Sequence, residues 1–173
     1  MDIQKIYEYA LQREYEGKRF FEQNAERMNN AAAVSAFKKL AVEEQKHIEF
    51  IKNQIELLGR GLGSSTEFGV AFQKEGFFSQ RAVSEGIEQT VSEAMVADLP
   101  VLRMAYLIEH DLAEFYEMAA GKVAGLQGDG ATEWQSAQEV LKMLAVWERG
   151  HERLFKKMHD KAFEEYAEMP WGG

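Results

Sequence analysis

Two stretches of the chain decide its fold: Leu40-Ala41-Val42-Glu43-Glu44-Gln45-Lys46-His47 and Leu144-Ala145-Val146-Trp147-Glu148-Arg149-Gly150-His151. Each ends in Glu-x-x-His, and each is preceded at a distance by a further glutamate, Glu14 in the first half and Glu109 in the second. Residues three apart share one helix face, so both members of each Glu-x-x-His pair can reach a common centre. All six residues fall where a helix bundle calls for apolar side chains.

Working outward, four segments carry apolar residues in steps of three and four, the mark of an inward-facing helix stripe. The stripes read Ile3, Ile6, Ala10, Glu14, Gly17, Phe21, Ala25, Met28; then Phe37, Leu40, Glu44, His47, Ile51, Ile55, Leu58; then Leu102, Ala105, Glu109, Leu112, Tyr116, Ala119, Val123; and finally Leu141, Leu144, Glu148, His151, Phe155, Met158, Ala162. Only the acids and histidines interrupt them. This pattern predicts an all-α fold with helices at about 2–28, 31–58, 99–124 and 132–166, in one domain spanning 1–166. Asn30 is the expected N-cap of the second helix and Gly59 its stop. Asp98 is the expected cap of the third, with Pro100 in its first turn. Thr132 and Gln135 fit a capping box for the fourth, after the turn Gly128-Asp129-Gly130.

Short turns make each pair of helices an antiparallel hairpin. Glu14 lies fifteen residues before Asn29 and Glu44 fifteen after it, so both sit ~22 Å from the turn. The midpoint of positions 109 and 148 falls inside the glycine-rich turn, so the second hairpin repeats the arrangement. Residues 60–98 join the hairpins. GRGLGSSTEFG (59–69) reads as a loop from its glycines and serines, and Val83, Ile87, Val91 and Met95 predict a shorter helix within the crossover. Phe72, Phe77 and Phe78 are expected to seal one end of the bundle or to feed a subunit contact. The tail, 167–173, lacks a helical pattern and is expected to be flexible.

Composition narrows the function. Among 173 residues there is no cysteine, which excludes a disulfide framework, a thiolate zinc site and a cysteine-ligated iron–sulfur centre. A net charge of −9 without a basic cluster argues against nucleic-acid binding. No apolar run approaches the ~20 residues needed to cross a bilayer, and the amino terminus lacks the features of a signal peptide, so a cytoplasmic location is expected. The eight methionines read as core filler, with no case for a haem ligand among them. Trp147 and Tyr15 sit beside the acids in sequence but are expected to point elsewhere and simply pack. His110 and His159 are expected at the surface.

Buried ionised carboxylates are costly, and four together repel one another. Two metal ions would relieve both problems. An oxygen-rich donor set with some imidazole suits iron or manganese and also admits zinc. A Glu from each of two helices with Glu-x-x-His from two others is a known dimetal template in four-helix bundles.

At this point the sequence resembles the rubrerythrin branch of the ferritin-like superfamily. Glu14-x-x-Gly17-x-x-Phe20-Phe21-x-x-x-Ala25 and Glu109-x-x-Leu112-x-x-Phe115-Tyr116-x-x-Ala119 look like one family segment. Leu40-Ala41-x-x-Glu44-x-x-His47 and Leu144-Ala145-x-x-Glu148-x-x-His151 look like the other. The resemblance covers the four bundle helices and leaves the crossover and tail uncovered. It implies a ferritin-like four-helix bundle with two metal ions per chain, iron above all. Glu44 and Glu148 would bridge the ions, and Glu14, Glu109, His47 and His151 would be terminal ligands. For Tyr116, core packing and a hydrogen bond to a ligand carboxylate are both open.

The chain also departs from the family. The cysteine-ligated rubredoxin domain typical of rubrerythrins is missing, so a separate protein would have to donate electrons. Leu112 stands where rubrerythrin proper has an additional Glu, which makes the six-residue set closer to the ferroxidase centre of bacterioferritin. Phe21 stands where Tyr is frequent. The implied function is reaction with O2 or H2O2, as peroxide or oxygen scavenging or as oxidation of ferrous iron. Iron storage, a metal-stapled non-catalytic bundle and a dimetal monooxygenase are the alternatives. A homodimer is expected.

Overall fold

The computed structural model describes residues 2–74, 96–126 and 131–169. The expected crossover helix on Val83, Ile87, Val91 and Met95, the side chains of Phe72, Phe77 and Phe78, the turn at 128–130 and the tail from Pro170 lie outside the described residues and side chains.

Among the described residues helical periodicity becomes five helices: α1 (Ile3–Ala25), α2 (Ala31–Gly59), α3 (Glu67–Lys74), α4 (Leu99–Ala124) and α5 (Ala131–Glu168). They pack as a bundle, and the described residues contain no strand. None of the described helices is long and apolar enough to cross a membrane. α1 packs along α2, and α4 along α5. The buried stripes place the amino-terminal ends of α1 and α5 with the carboxy-terminal ends of α2 and α4 in one apolar cluster, which includes Tyr7, Phe50, Val123 and Leu141. The opposite ends meet in a second cluster around Phe21, Phe37, Leu102 and Phe155. The helices therefore run up, down, down and up. In the second cluster Phe21 and Phe155 stack with centroids 5.4 Å apart, and Phe37 meets both rings edge-on.

The helix ends differ in detail from their sequence signals. Asp2 caps α1 through Lys5 N–H, and Asn30 caps α2 by accepting from Ala32 and Ala33 N–H at 2.9 and 3.2 Å. α1 stops at Ala25 rather than Met28. α2 includes Gly59, and the left-handed residue that ends it is Gly61, with φ of 71°. Thr132 lies inside the first turn of α5, so it does not precede the helix as a capping residue would. α5 continues to Glu168, two residues into the segment expected to be flexible.

Asp98 precedes α4, but its side chain makes no cap hydrogen bond with its own helix. Its buried carboxylate instead accepts from Asn29 N–H, Asn29 Nδ2 and Asn30 N–H, each at 2.9 Å. A competing set of backbone donors, left bare by the tight α1–α2 turn, has captured it. Asp98→Ala is expected to lower stability by about 3 kcal/mol, because it removes charge-assisted bonds and strands buried N–H groups. Urea unfolding measures this directly, and a loss below half a unit on that scale would count against the clamp.

The stretch expected to be a loop turns helical at Glu67. Buried Gln54 holds Ser65 by both of its amide ends, Nε2 to Ser65 O at 2.8 Å and Oε1 from Ser65 N–H at 2.9 Å. Ser65 Oγ then accepts from Glu67 N–H at 3.2 Å. This pins the start of α3 against α2. α3 comes so close to the bundle that a Cβ at Gly69 would lie 2.6 Å from Met143 Sδ and 3.1 Å from ring atoms of Phe50 and Trp147. The Met143 side chain can yield, but the two rings are locked in the core. Gly69→Ala is thus expected to destabilise by about 1–3 kcal/mol, as overpacking does. A thermal midpoint unchanged from the parent's would refute the close approach.

Candidate metal centre

Between the two apolar clusters lies a polar layer. α1 supplies Glu14, α2 supplies Glu44 and His47, α4 supplies Glu109, and α5 supplies Glu148 and His151. None is more than 2% exposed. Their positions follow from helical spacing alone, because each continues an apolar stripe past the point where the stripe turns acidic.

The layer has approximate two-fold symmetry. His47 Nδ1 lies 3.3 Å from Glu14 Oε2, and His151 Nδ1 lies 3.1 Å from Glu109 Oε2. Each histidine also faces the acid three residues before it, His47 to Glu44 at 3.7 Å and His151 to Glu148 at 3.3 Å. The hairpins are joined by the cross contacts, His47 Nδ1 to Glu148 Oε1 at 2.8 Å and His151 Nδ1 to Glu44 Oε1 at 3.4 Å. The imidazoles stack with centroids 5.2 Å apart. One ligand-type atom from each of Glu44, His47, Glu148 and His151 fits within 4.8 Å of the others. Glu14 and Glu109 border this foursome through their histidines.

One hydroxyl breaks the symmetry. Tyr116 O–H donates to Glu14 Oε1 across the hairpins. The equivalent position seven residues after Glu14 is Phe21, which has nothing to donate, and Glu109 Oε1 is buried with no hydrogen-bond partner. Of the two readings open for Tyr116, the hydrogen bond to a carboxylate of the cluster is the one observed.

Burial dominates the electrostatics. It pushes the Glu14 carboxyl well above the usual carboxylate range, and the charges of Glu148 and Glu44 add to the rise. Glu109 moves the same way, from burial first and then the charge of Glu44. For His47, burial disfavours the cation, but Glu148, Glu14 and Glu44 together outweigh it and the imidazole is held well above its ordinary value. His151 is raised likewise, against burial, by its bonds to Glu109 and Glu148 and its proximity to Glu44. Glu148 is the exception: the charge of His47 and bonds from both histidines overcome burial and hold it below the usual range. Protons shared among acids and imidazoles thus stand in for positive charge.

The donor atoms suit a stronger cation. Both oxygens of Glu44 and Glu109 Oε1 are buried without a hydrogen-bond donor, a state that native structures seldom leave unexplained. Both Nδ1 atoms point into the acids. The foursome is compact enough to hold a metal ion, and imidazole with carboxylate is a donor set that transition metals favour.

Trp147 does not point elsewhere. It is buried and stacks on His47 with centroids 5.0 Å apart and planes 17° from parallel. Phe50 of α2 and Gly69 of α3 also pack against it. The missed signal was its position, three after Leu144 and four before His151, which puts it on the edge of the inward stripe. Tyr15 is exposed, with Lys52 over its ring at 5.3 Å. His110 lies at the surface between Glu152 and Glu114. His159 is half-buried, its ring stacked near Phe163.

No protein-family model, no curated protein and no solved structure matches this chain.

Proposed function

We propose that the protein is a ferritin-like, rubrerythrin-like dimetal oxidoreductase, with iron as its metal and O2 or H2O2 as its oxidant. The observation that carries this reading is the convergence of four carboxylates and two imidazoles, one set from each hairpin, around acid oxygens that have no hydrogen-bond donor. Glu44 and Glu148 would bridge the ions, with Glu14 and His47 on one and Glu109 and His151 on the other. When bound, the metal pair supplies reversible electron transfer and the two-electron reduction of the oxidant.

The remaining work belongs to the chain itself. Tyr116 holds Glu14 by one oxygen and leaves the other beside His47, which fixes the carboxylate's orientation. Trp147 fixes the plane of the His47 ring. The apolar clusters above and below exclude water, so the six titratable groups act on one another in a poorly screened interior. These residues include no cysteine, so electrons for repeated turnover would come from a donor outside them.

Oxidation of ferrous iron as a substrate is the second reading. Leu112, buried beside the site, supports it, since a further acid there would have given one ion an alternative ligand. Anaerobic loading with ferrous iron tests both. About two irons per chain are expected, and absorption during addition of O2 or H2O2 then identifies the faster oxidant. Protein purified without chelator that holds no transition metal and takes up no ferrous iron would end the proposal.

A further inference from the structure

The two flanks of the polar layer are built differently. On the α2–α5 side Trp147 lies against His47, Phe50 against Trp147, and α3 over both. On the α1–α4 side a groove of about 320 Å³ runs into the bundle, lined among others by Tyr9, Arg13, Glu16, Gly17, Leu112 and Phe115. Gly17 belongs to its lining and is itself buried. A Cβ built there would meet one heavy atom within 4 Å beyond its own helix backbone, Glu44 Oε2 at 3.7 Å. At Gly17, a lining residue of the groove, no side chain stands towards this carboxylate of the site.

The symmetry of the layer sharpens this. Gly17 follows Glu14 by three residues, and Leu112 follows Glu109 by three, so the two positions are equivalent. Both line the same groove. One half carries a buried leucine at this position, and the other carries no side chain. The side chain that would narrow the groove is therefore missing at the position that faces Glu44.

We propose that the α1–α4 groove is the entry route for the small oxidant, a neutral molecule of two heavy atoms, and that Gly17 is the gate through which it reaches the Glu44 side of the site. This rests on the dimetal reading above. Interiors are packed closely enough that one added methyl group is felt, and here it would be added in the passage itself. The backbone at Gly17 is helical, so alanine is conformationally at home there.

Nitric oxide, a neutral diatomic probe, tests the route without turnover. Its binding to the ferrous-loaded protein is followed anaerobically by stopped-flow absorption, with iron content measured in parallel. Relative to the parent, Gly17→Ala should slow binding a few-fold and Gly17→Val by about tenfold or more, at unchanged iron content, while Leu112→Ala should speed it. If valine disturbs folding or iron content, alanine carries the test, because its Cβ makes only ordinary contact at 3.7 Å. Equal binding rates in the parent and the Gly17 variants, all with iron bound, would overturn the route and leave the dimetal reading standing. Failure of the parent to take up ferrous iron would overturn both.

Discussion

Glu44→Ala is expected to reduce tight metal binding from two ions per chain to at most one. Glu44 is the acid whose two oxygens both lie buried with no hydrogen-bond donor, at a contact with the histidine of the other hairpin. A bridging role uses both oxygens, so its loss removes a donor from each ion. Changing a residue that only supports a ligand lowers metal affinity by about 10–100-fold, and loss of a shared ligand should exceed that. Equilibrium dialysis with ferrous iron or cobalt measures it, with circular dichroism to show that the helices persist. A folded variant that binds two ions as the parent does would remove Glu44 from the site. Glu148→Ala should behave alike by symmetry, whereas Tyr116 variants should retain both ions.

The metal-free protein should become less stable as pH rises, and metal uptake should release protons. Glu14 and Glu109 have raised pKa values, so their contribution to stability is complete below the ordinary carboxylate range and is lost as pH climbs through the folded values. His47 and His151 are raised as well, so theirs is complete below about pH 6.5 and is lost above it. Glu148 works in the opposite sense, since its depressed pKa contributes above the carboxylate range and is lost only in strong acid. Four buried groups therefore push one way across the neutral range. For a chain of this size each 1 kcal/mol moves the melting temperature by roughly 2–4 °C, so the trend should be plain in melts of chelator-treated protein at mildly acidic, neutral and alkaline pH. A metal that displaces these protons binds more tightly at higher pH. Melting temperatures that climb with pH, or uptake without proton release in weakly buffered indicator solution, would contradict the charge assignment.

Much of this was legible in the residues because helical periodicity makes few assumptions. The inward stripes of α1, α2, α4 and α5 needed only the repeat of three and four, and the six polar interruptions declared themselves by standing on them. What the pattern hid was anything decided between helices. Trp147 sits on the shoulder of its stripe, and its approach to His47 depends on how α2 meets α5. α3 begins within a glycine-rich stretch because Gln54 grips the Ser65 peptide, a contact across eleven residues that local propensity does not encode. Asp98 looked like a cap because its sequence neighbours fit one, while its partners come from a turn 68 and 69 residues away.

The Asp98 clamp also sets a register. Packed helices can slide past one another in steps of one turn, ~5.4 Å, and apolar stripes of similar composition discriminate weakly between such steps. A slip of that size between the hairpins would exceed the 4.8 Å within which Glu44, His47, Glu148 and His151 converge. By binding the backbone of the α1–α2 turn, Asp98 indexes one hairpin against the other along the bundle axis. Glu109 follows Asp98 by eleven residues, so ~16 Å of α4 transmits the alignment to the acids as a ruler would.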